Sequence, residues 1–93
     1  MIMENHESEF SLLEETLEES SFKLLLYNDD VNTFTWVIDC LIKYCKHSQE
    51  QAEQCAWLVH YKGKALVKSG DFTELKPICE TLCEKGLDAK IED

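Results

Sequence analysis

Asn28, Asp29 and Asp30 stand side by side directly after an apolar run, and His60 follows about thirty residues later. Side chains of these types can do three kinds of chemistry. Asn and Asp bond their own backbone and so favour turns. Gathered acceptors can instead hold a cation: an ammonium has three donors, which Asn and Asp oxygens and a neutral imidazole nitrogen can receive. Two carboxylates and an imidazole can also exchange protons with a substrate. That last use finds no support elsewhere, since the chain offers no phosphate loop, nucleophile elbow or evident oxyanion hole. An enzyme is not expected. Turn and cation site both stay open on these residues alone.

Five cysteines are the other candidates for chemistry: Cys40, Cys45, Cys55, Cys79 and Cys83. Cys79 and Cys83 lie four apart on one helix face, but no second Cys or His pair stands at a matching zinc-site spacing. Cys40, Cys45 and Cys55 fall within apolar helical stretches, where a free Cys acts as a small hydrophobe. Core filling is the expectation, with no metal and no cofactor.

These side chains must be positioned by short elements. Phe22 to Tyr27 is an apolar strand with little alternation, as for burial on both faces or a central place in a sheet. Asn32 or Thr33 can cap a helix from about Phe34 to Cys45, with Val37, Leu41, Tyr44 and Cys45 as its inward stripe. Ser48 and Gln51 form a capping box that opens a second helix to about His60. Ala52, Cys55, Ala56 and Val59 are its stripe. A strand over Ala65–Val67 follows, then a turn at Ser69-Gly70-Asp71. A third helix runs to about Lys85, its first turn expected to be irregular because Pro77 removes an N–H. Gly86 is a plausible residue just past its end, and Leu87–Ile91 is the last strand. The order β-α-α-β-α-β predicts an α+β fold, a small antiparallel sheet carrying three helices.

Composition bounds the rest. Ninety-three residues, 44% of them hydrophobic, make one domain with one modest core. The net charge is -10, and residues 1–21 carry seven Glu and no Lys. That segment reads as a flexible acidic tail before a core domain over residues 22–93, although Phe10, Leu13 and Leu17 have the spacing of a transient or docking helix. The chain has no Arg and no basic patch, which argues against nucleic acid. No stretch approaches the ~20 apolar residues that span a bilayer. Acids follow Met1-Ile2-Met3 at once, unlike a secretory signal. With an odd number of cysteines, this suits a reducing, cytoplasmic compartment.

Two segments together are more specific than any of these features. Asn28-Asp29-Asp30 lies between first strand and first helix, and Val59-His60-Tyr61-Lys62-Gly63-Lys64-Ala65 at the end of the second helix. In both motifs and their separation the chain resembles the ClpS adaptors of the Clp unfoldase–protease, which carry N-D-D and V-H-Y-x-G-K-A at these places. The resemblance covers residues 22–67 well and continues weakly beyond.

It implies a ClpS-like fold and an adaptor without catalysis. Such an adaptor captures proteins by a bulky hydrophobic N-terminal residue (Leu, Phe, Tyr or Trp) and passes them to a ClpA- or ClpC-type ATPase. Asn28, Asp29 and His60 match the family residues that engage the substrate's α-amino group, and Asn32 matches a Thr that also contacts it. Val37 and Val59 match the side-chain pocket. Phe34 and Ala56 stand where the family commonly has Met, so a crowded rim and a deepened floor are expected. Thr33 replaces a common Pro, and Lys68–Pro77 differs from the usual loop; Glu74 and Lys76 are the candidates there for the unfoldase-binding surface. The different class that remains is an α+β protein-interaction module of ribosomal stalk-like build, with no ammonium site.

Overall fold

The computed structural model describes residues 21–93; the expected acidic tail, with Phe10, Leu13 and Leu17, lies outside the described residues apart from Ser21. The elements are β1 (Phe22–Tyr27), α1 (Phe34–Cys45), α2 (Gln49–Lys62), β2 (Lys64–Gly70), α3 (Phe72–Glu84) and β3 (Asp88–Glu92). Their order is the predicted one. The sheet is antiparallel with strand order β2-β1-β3, so β1 is central. That place explains its continuous apolar run. Leu24 and Leu26 are buried in the core under the helices, while Leu25 is buried on the opposite face, paired with Leu66 and Lys90.

Two strands differ from their expected bounds. β2 reaches Gly70 because Phe22, Lys23 and Leu24 pair with Gly70, Ser69 and Lys68 across a register irregularity. β3 starts at Asp88 rather than Leu87, whose N–H instead bonds the Leu82 carbonyl at the end of α3.

The helix ends follow from local chemistry. Thr33, not Asn32, caps α1: its hydroxyl oxygen accepts from the Trp36 N–H at 3.1 Å. Ser48 and Gln51 close the expected capping box on α2 with bonds of 3.1 and 3.0 Å. Gly63 then stops α2 at φ +96°, a conformation that costs other residues strain. α3 is regular from Phe72, contrary to the irregular first turn expected of Pro77. The carbonyl that Pro77 leaves unbonded belongs to Thr73, and both residues are exposed, so water can satisfy it.

All three helices pack on one face of the sheet. Leu41 and Cys40 of α1, Ala52 and Ala56 of α2, and Leu75 and Leu82 of α3 meet Leu24 and Leu26 there. Each fully buried Leu contributes roughly 1.5–3 kcal/mol. Cys40 takes the inward place expected of Tyr44, which is only half-buried, as is Cys55. The small Ala52 and Ala56 let α2 lie close against α1. No described helix is long and apolar enough to cross a membrane.

Candidate functional site

The end of β1 is tied to the end of α2 by a single backbone bond. The Asn28 N–H donates to the Gly63 carbonyl at 3.0 Å. The left-handed turn at Gly63 aims that carbonyl, and the bond holds the two sequence motifs together. Asn28, Asp29, Asn32, Phe34, Val37, Ala56, Val59 and His60 line one cavity, with Thr33 beside them. Every residue expected at the ammonium site and at the apolar pocket is therefore in one place.

The polar side of this cavity is built on Asp29. Its Oδ1 accepts from the Val31 N–H at 2.8 Å, the Asn32 N–H at 2.9 Å and the Asn32 side-chain amide at 3.1 Å. Among the described residues its Oδ2 accepts only from that amide, at 2.9 Å. Burial alone would push the Asp29 carboxyl up. Bonds from the Asn32 backbone, the Asn32 side chain and the Val31 backbone outweigh this and hold it below the ordinary carboxylate value. The turn reading and the cation reading are thus compatible. Oδ1 is spent on the turn, and Oδ2 keeps acceptor capacity for an incoming donor.

Asn32 does a different job from its neighbours. Its amide also donates to the Gly86 carbonyl at 2.7 Å, so its donors are used on Asp29 and on the turn after α3. Trp36 reinforces that link, its indole N–H donating to the Lys85 carbonyl at 3.1 Å. Asp30 is exposed and does not line the cavity.

The apolar side comes from one face of each of two helices. Val37 of α1 and Ala56 and Val59 of α2 are buried, and Phe34 opens α1 at the rim. The Phe34 ring meets the His60 imidazole edge to face, with centroids 6.1 Å apart, and His60 in turn meets Tyr61 at 4.7 Å. The cavity between them measures about 20 Å³, room for one water molecule. Ala56 is 2% exposed and lines the cavity.

Glu74 and Lys76 lie elsewhere. Glu74 pairs with Lys68 at 3.8 Å and lines a separate groove with Tyr44, Cys45, Lys46 and Ile78, while Lys76 is exposed on α3. Among the described residues no three His, Cys, Asp or Glu are grouped to hold a metal ion.

Residues 17–90 match the family described as "ATP-dependent Clp protease adaptor protein ClpS". This chain belongs to the ClpS family. It is 39% identical over 62 residues to the ClpS adapter of Cronobacter sakazakii, covering 67% of this chain and 58% of that protein. With the ClpS adapter of Thermosynechococcus vestitus it shares 35% over 68 residues, 72% of each chain. The match to the Salmonella gallinarum ClpS adapter, 43% over 47 residues, spans only 44% of that relative. The fold is also that of Agrobacterium tumefaciens ClpS2, solved bound to L-phenylalaninamide. The TM-score is 0.67 at 23% identity, over 78% of this chain and 95% of that one.

Backbone groups are what sequence reasoning missed in the site. The Gly63, Lys85 and Gly86 carbonyls place Asn28, Trp36 and Asn32. Gly63 and Gly86 were legible as helix stops, but their carbonyl partners were not.

Proposed function

We propose that this chain is a non-catalytic, cytoplasmic adaptor that binds proteins by a bulky hydrophobic N-terminal residue and delivers them to a Clp ATPase–protease. One observation carries the reading: Asn28, Asp29 and His60 converge on a cavity whose other wall is Val37, Ala56 and Val59. A substrate N-terminus combines the same two chemistries, an ammonium beside an apolar side chain. Asp29 Oδ2, the Asn28 side-chain oxygen and a neutral His60 nitrogen receive the ammonium. Asn32 acts through Asp29, which it holds in place. The L-phenylalaninamide bound by the Agrobacterium relative is a ligand of this kind, a free amino group on a phenylalanine.

Phe34, at the rim of the cavity, is the side chain placed to move when a ring is seated. Rotamer changes of this kind are common at interfaces. Two charge-assisted bonds at about 1.5–3 kcal/mol each, with one buried apolar side chain at roughly 1.5–3, less the ordering cost, give affinity on the order of micromolar. That range suits capture followed by release to the ATPase. Glu74 and Lys76, with the acidic segment 1–21, are the proposed contacts to the unfoldase.

The test is a titration with peptides that differ only at their amino end. A Phe-initiated peptide should bind, and the same peptide acetylated at its amino group should not. Equal binding of the two would point to the plain interaction module instead.

A further inference from the structure

Cys83 departs from the core-filling role expected of the cysteines, and Cys79 only borders the core. Cys83 is exposed and Cys79 half-buried, on one face of α3 and away from the substrate cavity. Both thiols point at the same acceptor: each Sγ lies 3.4 Å from the Ala89 carbonyl of β3. The two sulfurs are therefore neighbours at the protein surface. Burial first, then the charge and hydrogen bond of Cys83, pushes the Cys79 thiol up to about 11.

A direct disulfide fits this arrangement poorly. Residues four apart on a helix hold their Cβ atoms about 5–6 Å apart, whereas a disulfide wants roughly 3.5–4.5 Å. A bridging atom removes the mismatch, because two metal–sulfur bonds of about 2.3 Å reach further than one sulfur–sulfur bond of about 2.05 Å. No third His, Cys, Asp or Glu joins the pair into a group of three among the described residues. That disfavours zinc, which is held by three or four protein ligands. Soft thiolates also suit Cu(I), an ion content with two sulfurs in line.

We propose that Cys79 and Cys83 form a two-thiolate site for a soft monovalent metal ion, Cu(I), on the side of α3 that faces β3. Binding breaks the two S–H bonds and forms two Cu–S bonds. Both protons pass to solvent, and no electron changes hands. The site sits just before Lys85 and Gly86, whose carbonyls hold Trp36 and Asn32.

The experiment uses the full chain, reduced and free of oxygen, with Cu(I) supplied from a coloured Cu(I) chelator and bound copper counted per chain. Wild type should hold one Cu(I) against the chelator. Cys79→Ser and Cys83→Ser should each weaken binding by about a hundredfold or more, as loss of one of two soft ligands implies. Cys55→Ser should bind as wild type does. Should Cys79→Ser fail to fold, the exposed Cys83→Ser decides the matter alone. Copper retained equally by wild type and Cys83→Ser, lost in Cys55→Ser, or not held by wild type at all would overturn the proposal.

Discussion

The side-chain amide of Asn32 bonds both carboxylate oxygens of Asp29, at 3.1 and 2.9 Å. The same amide holds the Gly86 carbonyl at 2.7 Å. Asp29 is therefore fixed from two directions, by its own turn and by the far end of α3. A carboxylate held in this way keeps its free lone pairs aimed into the cavity before any ligand arrives. Preorganisation of this kind lowers the ordering cost of binding.

Asn32→Ala should weaken binding of a Phe-initiated peptide by about tenfold, or ~1.4 kcal/mol, while the Asp29 charge remains. Asn32→Asp should be worse, because it removes the donors and sets a like charge beside Asp29. Amide hydrogen exchange at Val31 and Asn32 should quicken in both variants, since their N–H groups donate to the loosened carboxylate. Unchanged exchange with reduced affinity would mean that Asn32 touches the peptide itself.

The lowered titration of Asp29 carries a sign that stability measurements can check. Its folded value lies below the unfolded one, about 3.9. Its contribution to stability is then fully present above the unfolded value and is lost as pH falls through the folded value. Asp29→Asn keeps an oxygen for the turn but removes the charge. In urea unfolding, wild type should exceed this variant at about pH 6, and the gap should shrink towards about pH 3. A gap that holds or widens in acid would contradict the assignment.

Most of the fold was legible because its signals are local. Ser48 and Gln51 are three apart, Gly63 stands where α2 must stop, and the run at Leu24–Leu26 needs cover on both sides. The choice between Asn32 and Thr33 as the α1 cap was not legible, since either oxygen can serve. Only the structure shows that Asn32 is occupied by Gly86, 54 residues away. The length of β2 was hidden for a similar reason: Lys68, Ser69 and Gly70 are strand because β1 pairs with them, not through their own propensity.

Asn28→Ala and His60→Ala should each weaken peptide binding by about 1.5–3 kcal/mol, the value of one charge-assisted bond. Both side chains are exposed, so thermal unfolding should move little. The Asn28 N–H bond to Gly63 survives either change, because it belongs to the backbone. A large loss of stability in His60→Ala would assign the imidazole to packing with Phe34 and Tyr61 rather than to the ligand.

If the cavity takes a substrate's first side chain, as proposed, Phe34 and Ala56 set which side chains enter. The Phe34 ring meets His60 edge to face at the rim of the cavity, on the path of an incoming bulky side chain. A ligand branched at its β-carbon meets that ring at the rim, while an unbranched one passes beneath. Wild type should therefore accept Leu, Phe, Tyr and Trp and disfavour Ile and Val by about tenfold or more, within the ~1–3 kcal/mol that one misplaced methylene costs. Phe34→Ala should bring Ile and Val close to Leu and should quicken association, since no ring has to move. Ala56→Met fills space the ligand needs, a misfit worth ~1–3 kcal/mol in a hydrophobic pocket. Its effect should fall harder on Trp than on Leu. A peptide series varied only at the first residue, run on wild type and both variants, measures all of this. If Ile binds wild type as well as Leu does, Phe34 is no barrier; if Ala56→Met leaves the order of ligands unchanged, the pocket is not bounded by Ala56.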